Sequence, residues 1–295
     1  MEVAVERYFN VVGEIINRGG PDESEYEFLK QVPKDLSDSS LEEQQEVYKV
    51  LSPLLTEESM LGFTFKKPHG YAGDFELIDN IYSQKKSDNK TLIKWDNFYH
   101  SLEAAEAVRN RKKYFKTLVH KTETKNKSAR VLNIGSGPCS DLVDFLKTKT
   151  KKKHTLNFEC LDMDQKAIDY GSAVCDNYMD HITFIKQNVL RFKPGYQYEL
   201  IWSAGLFDYF NDKIFIRLVN RIYALVKSGG ELVIGNFSTY NPSREIMEVY
   251  GQWYLHHRSE ETLVELAVKA GVPRDLISVS QEEVGVNLFL HLRKL

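Results

Sequence analysis

The stretch Val131-Leu132-Asn133-Ile134-Gly135-Ser136-Gly137-Pro138-Cys139 decides how this chain is read. Val131 to Ile134 reads as a buried strand that breaks into a glycine turn, after which a helix opens. Gly135 and Gly137 permit the tight bend and let backbone N–H groups approach a ligand closely. About 25 residues further on, Phe158-Glu159-Cys160-Leu161-Asp162 ends a second apolar run in an acid. A nucleotide-binding sheet places at that point the carboxylate that accepts hydrogen bonds from ribose hydroxyls. The pair predicts a nucleoside cofactor seated on a sheet, and the rest of the chain must then supply a substrate pocket.

Outward from this stretch, strands and helices alternate from Ala129 to the end. Strands are expected at 130–134, 156–161, 182–186, 198–203, 231–236, 276–281 and 285–292, with helices at 139–149, 165–178, 212–226 and 260–270. The last two strands leave no room for a helix, so they form an antiparallel hairpin. The expected fold is α/β: a doubly wound, Rossmann-like, seven-stranded sheet with its last strand pair antiparallel, preceded by an N-terminal helical domain. The division is placed at 1–128 and 129–295. In the first part, Val5, Tyr8, Phe9, Val12, Ile15 and Ile16 keep helical spacing up to Gly19-Gly20-Pro21. A second helix runs from Leu41 to Leu55, capped by Ser39 or Ser40, and Asp74 caps a third over Phe75–Tyr82. A longer amphipathic helix covers Ser101–His120. Residues 240–257 read as a helical insertion after the fifth strand, at the carboxyl end of the strands and over the ligand crevice.

The chain has 295 residues, 42% of them hydrophobic, which is enough for a substantial core. No run of eighteen apolar residues exists, so no membrane span is expected. The start, Met1-Glu2-Val3-Ala4-Val5-Glu6, lacks the basic segment and apolar core of a secretory signal. Cys139, Cys160 and Cys175 lack metal-ligand spacing and are too few for a disulfide framework, so a reduced, cytoplasmic setting is expected. The net charge of −3 hides a balance of −9 over residues 1–60 (14 acids, 5 bases) and of +11 over residues 109–154 (14 bases, 3 acids). Solvated or mutually attracting faces explain this more simply than a nucleic-acid or anionic-lipid surface. Lys147–Lys153 is expected as an exposed connection rather than a binding strip. The expected partner is a small molecule and not a nucleic acid; the oligomeric state is left open.

A glycine turn followed by an acid is shared by nicotinamide, flavin and S-adenosylmethionine sites. Pro138 removes an N–H donor that a pyrophosphate at a helix N-terminus would need. Phe184-Ile185-Lys186-Gln187-Asn188-Val189 ends the third strand in a side-chain amide suited to an adenine edge. The fourth strand opens into Ser203-Ala204-Gly205-Leu206-Phe207-Asp208-Tyr209, and Lys227-Ser228-Gly229-Gly230-Glu231-Leu232 reads as a helix-ending turn into the fifth strand. These details favour S-adenosylmethionine.

On those motifs, residues 129–295 resemble the class I S-adenosylmethionine-dependent methyltransferases. The resemblance implies that the glycine loop packs on the methionine portion of the cofactor, that the acid after strand two binds ribose and that the residue after strand three binds adenine. These roles fall on Gly135, Gly137, Asp162 and Asn188, with Ser136, Met163, Val189, Ser203 and Arg109 completing the cofactor set; Asp164 is assigned to helix capping. Two departures stand out: Asn133 where the family usually has an acid, and Asn188 where it often has Asp. Both still accept a hydrogen bond. A narrower resemblance rests on His69-Gly70-Tyr71-Ala72-Gly73-Asp74, Val108-Arg109-Asn110-Arg111, Gly205-Leu206-Phe207-Asp208-Tyr209 and Trp253-Tyr254-Leu255-His256-His257-Arg258. Together these look like bacterial biosynthesis proteins for the extracellular factor 3-hydroxypalmitic acid methyl ester. That likeness implies methylation of a fatty-acid carboxylate to make a quorum signal.

Methyl transfer from a sulfonium is an in-line displacement that needs donor and acceptor aligned about 3 Å apart with water excluded. A carboxylate acceptor is already ionised at neutral pH and needs no general base. It needs a cation to hold it, and Arg109, Arg111 and Arg258 qualify because guanidinium grips a carboxylate with two parallel hydrogen bonds. One of the three can instead hold the carboxylate of the cofactor, and a salt bridge is the plainer reading of each. A hydroxyl or amine acceptor would call for a base from among His69, His256 and His257. Tyr71 and Asp74 lie in a glycine-flanked loop that reads either as a mobile lid or as an ordinary turn with an N-cap. Tyr71, His257 and Arg258 stand as the catalytic candidates. Arg111, Phe207, Tyr209, Asn236 and Trp253 stand as the substrate-binding ones, with Tyr254 as a further wall of an apolar pocket or core. No carboxylate–histidine spacing points to a metal, and His256 and His257 face different sides of a helix.

The leading function is a small-molecule methyltransferase. An O- or N-methyltransferase for another metabolite, a nucleic-acid methyltransferase and a non-catalytic cofactor-binding sensor are the alternatives. The base-amino-methylating enzymes carry Asn/Asp-Pro-Pro-aromatic after strand four, where this chain has Ser203-Ala204-Gly205-Leu206.

Overall fold

The computed structural model describes residues 2–36, 40–126, 128–148 and 155–295. Helices open the chain: α1 (Glu2–Asn17), α2 (Tyr26–Leu36), α3 (Leu41–Leu51), α4 (Met60–Lys66), α5 (Phe75–Ser83), α6 (Ile93–Ser101) and α7 (Glu103–Lys125). Alternation follows: β1 (Ala129–Ile134), α8 (Ser140–Leu146), β2 (Leu156–Asp162), α9 (Gln165–Val174), β3 (Ile182–Lys186), β4 (Tyr198–Ser203), α10 (Asp212–Tyr223), β5 (Val226–Phe237), α11 (Glu260–Lys269), β6 (Ile277–Gln281) and β7 (Asn287–Arg293). The sheet has seven strands in the order β3-β2-β1-β4-β5-β7-β6. The first five are parallel, and β7 runs antiparallel to both β5 and β6. This is the class I methyltransferase fold, with the antiparallel terminal pair expected from the short β6–β7 connection.

The chain divides into two compact units, Met1–Glu106 with Asn241–Tyr254, and Ala107–Tyr240 with Leu255–Leu295. The division falls inside α7 and not at residue 128. Phe115, Leu118 and Val119 of that helix belong to one apolar cluster with Val131, Leu200, Trp202, Val233 and Phe289, so this part of α7 is a layer of the sheet domain. Another cluster gathers Phe215, Leu218, Val219 and Ile222, at helical spacing on α10, with Leu263 and Leu266 of α11 and with Ile201, Leu232 and Leu290. Strand residues alternate between the two clusters, as a sheet covered on both faces requires.

The first unit holds three helices that periodicity alone does not mark. Pro33 interrupts α2 as sequence punctuation, and α4 is only seven residues long, its start set by the Ser59 cap. For α6, the buried Asp96 carboxylate accepts the N–H groups of Met60 (2.8 Å) and Ser87 (2.7 Å), a tertiary tie without local signature. The expected helix over 101–120 is broken at its start, because Leu102 is extended (φ −66°, ψ 139°) between α6 and α7. Residue 39 lies outside the described residues, and Ser40 caps α3 through the Glu43 N–H. Most of Lys147–Lys153 also lies outside them.

Two further expectations differ. Residues 240–257 are helical only around the π turn Ile246–Tyr250; the chain then runs without regular structure to Arg258. Within the first unit, Gly251 of this segment packs so closely on Thr64 that a Cβ would meet its methyl at 2.9 Å. Lys227–Gly230 lies inside β5 rather than before it. The register slips between the Tyr198–Val226 and Leu200–Glu231 pairs, and Gly229 at φ +81° takes up the excess.

Candidate active site

The glycine loop leaves β1 with Gly135 at φ +63° and Gly137 at φ +51°, both in the left-handed region that glycine adopts without steric cost. The Gly135 N–H donates to the Leu161 carbonyl (2.8 Å) and the Gly137 N–H to the Asp162 carboxylate (3.1 Å). Asp162 also accepts the Asp164 N–H at 3.0 Å and bonds the Met163 amide. Burial raises its pKa above the ordinary carboxylate value, against the pull of those bonds. An ionised carboxylate has about four lone-pair directions. Three N–H donors therefore leave one direction open to a ribose hydroxyl.

Two buried donors on this edge have no hydrogen-bond partner among the described residues: Asn133 Nδ2 and Ser136 Oγ. An orphaned buried polar group costs about 1–3 kcal/mol. An amino-acid carboxylate laid against the loop would supply the missing acceptor, so the residues present fit the methionine end of S-adenosylmethionine. Of the other residues expected around the cofactor, Met163 leaves its apolar side chain 67% exposed beside Asp162. Asn188 is exposed and caps a 3₁₀ turn, its amide oxygen accepting the Leu190 N–H at 2.8 Å. Val189 is half-buried against the α10 side of the sheet, and Arg109 is half-buried on α7. Ser203 is buried and its hydroxyl donates to the Ile134 carbonyl (3.0 Å), so its proton ties β4 to β1 and is not offered to a ligand.

Arg111 lies across the carboxyl end of β4. Its Nη1 donates to the Ala204 carbonyl at 2.7 Å, and a Cβ on Gly205 would stand 3.6 Å from the same nitrogen. The side chain is buried, and Nε has no partner among the described residues. Two buried acids feel its charge. Burial pushes Asp208 and Asp141 each up to about 6, and the Arg111 guanidinium works against that rise in both. Asp208 is further fixed by the Phe237 N–H (2.6 Å), and its carbonyl accepts the His256 N–H at 2.8 Å.

Arg258 differs from its expected role. Nε and Nη2 donate to Asp212 (3.1 and 3.0 Å), Nη1 to Asn236 Oδ1 (2.8 Å) and the Phe207 carbonyl (3.3 Å), and Nη2 also to the Phe210 carbonyl. The guanidinium sits 4.7 Å over the Phe215 ring. All five of its N–H donors are used inside the domain, and none remains for an acceptor molecule. Asn236 is likewise saturated, donating to the Phe237 and His256 carbonyls while accepting from Arg258. Phe207 is a fully buried core residue, edge-on to Phe215 at 5.1 Å. Tyr209 is exposed; His257 is half-buried, its ring 6.0 Å from that of Phe237 and its Nδ1 3.2 Å from the Leu255 carbonyl.

In the first unit, Tyr71 is exposed between Gly70 and Gly73, and Asp74 caps α5 through the Leu77 N–H (2.8 Å). His69 bonds Glu76 at 2.9 Å, and Trp253 is buried with its backbone N–H on the Met247 carbonyl. The sequence assigns no site role to Asp141, Asp208, Asn110 or Asn287, although Asn110 and Asp208 lie inside the motifs of the narrower resemblance. Their signal is present but faint: one polar residue inside an apolar run, as in Leu206-Phe207-Asp208-Tyr209-Phe210 and Val286-Asn287-Leu288-Phe289.

No described protein family and no curated protein matches the sequence. Solved structures do match by shape. A possible exported protein from Bordetella parapertussis aligns over 99% of this chain and 96% of its own, with a TM-score of 0.69 and 17% identity. Mitomycin 7-O-methyltransferase aligns over 83% of this chain and 75% of its own (TM-score 0.53, 14% identity). Magnesium protoporphyrin IX methyltransferase from Synechocystis, solved with S-adenosylhomocysteine bound, covers 65% of this chain and 87% of its own (TM-score 0.50, 11% identity). The chain shares the fold of the S-adenosylmethionine-dependent methyltransferases.

Proposed function

We propose that this chain is an S-adenosylmethionine-dependent methyltransferase that esterifies the carboxylate of a small, fatty-acid-like molecule. The observation that carries the reading is the Gly137–Asp162 hydrogen bond, which joins the glycine turn to the ribose-binding acid at the carboxyl edge of the sheet. Orphaned donors at Asn133 and Ser136 support a ligand carboxylate on the same edge. Among solved proteins of this fold are enzymes named for small acceptors, mitomycin and magnesium protoporphyrin IX, which supports a small molecule here too.

The cofactor supplies an electrophilic methyl group when bound. Gly135 and Gly137 would face its methionine end, Asp162 would accept from its ribose, and Asn188 and Val189 would flank its adenine. Arg111, buried and with an unspent Nε, orients the acceptor carboxylate. That carboxylate is ionised at neutral pH, so the step requires alignment and exclusion of water but no general base. The 3-hydroxy fatty acids are proposed on the sequence resemblance. A reducing, cytoplasmic compartment is proposed with them, and three free cysteines are consistent with it.

Calorimetry with S-adenosylhomocysteine, followed by incubation with methyl-labelled cofactor and 3-hydroxy fatty acids of graded length, tests it. The expected result is micromolar cofactor binding and a labelled methyl ester. No ester at any chain length defeats the acceptor assignment; no binding of S-adenosylhomocysteine defeats the whole reading.

A further inference from the structure

Asn287 opens β7 and is fully buried, yet its amide oxygen has no hydrogen-bond partner among the described residues. The identity of that atom is fixed by its surroundings. Nδ2 donates to the Leu288 carbonyl at 2.9 Å, and turning the amide over would set two oxygens against each other. What is left without a partner is therefore an acceptor.

Its position is equally fixed. The buried Glu282 carboxylate accepts the N–H groups of Val284 (2.8 Å), Val286 (2.8 Å) and Asn287 (3.0 Å) and the side-chain amide of Asn110 (2.9 Å). Asn110 precedes Arg111 on α7, so one carboxylate locks the start of β7 to the turn of helix that carries the guanidinium. Arg111 reaches the end of β4, and Asn287 pairs with Phe237 at the end of neighbouring β5. Arg111 donates to the Ala204 carbonyl. On neighbouring β5, a Cβ at Gly235 would stand 3.2 Å from that carbonyl oxygen and 3.2 Å from Asn287 Nδ2. The carboxyl edge shared by β4, β5 and β7 thus carries a buried cation with an unspent donor, Arg111 Nε, and a buried amide with an unspent acceptor, Asn287 Oδ1.

We propose that Asn287 is a specificity-determining residue, whose Oδ1 accepts a hydrogen bond from a hydroxyl or amine borne by the methyl acceptor close to the group that Arg111 holds. The proposal rests on the methyltransferase reading of this edge. A molecule with an anion alone satisfies Arg111 and leaves the amide oxygen buried and unpaired. One with an anion and a nearby donor satisfies both. Sites built to bond a hydroxyl reject the analogue that lacks it far more strongly than apolar pockets reject a missing methylene.

The test measures Kd by calorimetry for 3-hydroxydodecanoate and dodecanoate, which differ by one hydroxyl, on the full chain saturated with S-adenosylhomocysteine. Wild type is expected to bind the hydroxy acid at least about tenfold more tightly. Asn287→Leu removes the amide at similar volume and is expected to abolish that ratio; its S-adenosylhomocysteine affinity and melting temperature report whether it is folded. Should it fail to fold, Asn287→Asp keeps an acceptor, and its charge is expected to weaken both acids while preserving the preference for the hydroxy acid. Equal binding of the two acids by wild type, persistence of the ratio in Asn287→Leu, or binding of neither acid overturns the proposal while cofactor binding stands. Loss of cofactor binding in wild type instead brings down the methyltransferase reading.

Discussion

The backbone N–H of Gly137 donates to the Asp162 carboxylate at 3.1 Å, closing a loop of 25 residues between the ends of β1 and β2. The two features that announce a nucleoside site in the sequence are therefore one hydrogen-bonded unit. Removing either should loosen the other. Asp162→Ala is expected to weaken S-adenosylhomocysteine binding by at least about tenfold, the worth of one charge-assisted hydrogen bond. Gly137→Val forces a β-branched residue to φ +51° and should weaken it comparably. Undiminished affinity in both variants by calorimetry would mean that this edge is not the cofactor site.

Much of the sheet is legible in the sequence because each strand is a short apolar run bounded by turn residues, and burial on both faces makes such runs continuous. β1, β3 and β4 begin and end within a residue of where their composition places them. The first unit is less legible. α6 is held by Asp96 bonding amides 36 and 9 residues away, and nothing local to Ile93–Ser101 encodes that. At the candidate site the glycine loop and Asp162 are read directly, since backbone conformation and strand ends carry them. The arginines are not, because a sequence shows a guanidinium but not how many of its five donors are already taken. Arg258 is saturated and Arg111 is not, and only the folded positions of Asp212, Asn236 and Ala204 distinguish them.

Arg111 has two tasks that substitutions can separate. It neutralises the surroundings of buried Asp141 and Asp208, and it is proposed to hold the acceptor carboxylate. Arg111→Met should cost about 3 kcal/mol of stability, as breaking a buried charge cluster does. Arg111→Lys keeps the charge and should restore most of that loss. The ammonium lacks the planar fork, so fatty-acid binding should remain weakened in the lysine variant. Urea midpoints and acid Kd values at saturating S-adenosylhomocysteine check both. Wild-type acid affinity in Arg111→Lys would remove Arg111 from the acceptor site.

Arg258 predicts the opposite pattern. Its guanidinium bonds Asp212, Asn236 and two carbonyls from the Phe207–Phe210 turn, so it holds the segment after β4 to the end of β5. Arg258→Met should lower stability by roughly 3 kcal/mol, because buried acceptors lose a charged donor. Acid affinity per folded molecule should stay within about twofold. A large loss of acid binding with an unchanged urea midpoint would return Arg258 to the role its sequence position first implies.

The buried acids impose a pH dependence. Burial raises Asp208 from 3.8 to about 6, so the folded state favours its protonated form. That contribution to stability is complete below pH 3.8 and is lost as pH rises through about 6. Carboxylates held low, such as Glu231 beside His291, act in the reverse sense, their contribution lost as pH falls. The difference between wild type and Asp208→Asn isolates the first effect, since the amide oxygen keeps the Phe237 bond without titrating. Asp208→Asn should gain on wild type by on the order of 2 kcal/mol between pH 4.5 and 7.5. Denaturation midpoints that run parallel over that range would show Asp208 to be unperturbed.

Beneath the glycine loop lie Cys139, Cys160 and Cys175, all buried and unoxidised. Contact with Cys160 and burial push the Cys139 thiol up, and contact with Cys139 and burial do the same to Cys175. Neutral, buried thiols react slowly, because the thiolate is the nucleophile. Ellman's reagent should therefore label no cysteine in the native protein and all three after unfolding in guanidinium chloride. Cys139 follows the loop and its Sγ lies 3.7 Å from the Ser136 carbonyl, so transient opening of that turn is the route by which it becomes reactive. Saturating S-adenosylhomocysteine should slow its labelling by the factor 1 + [L]/Kd when opening requires ligand release. Labelling of Cys139 that is fast in the native state, or indifferent to the ligand, would place the cofactor somewhere other than on this loop.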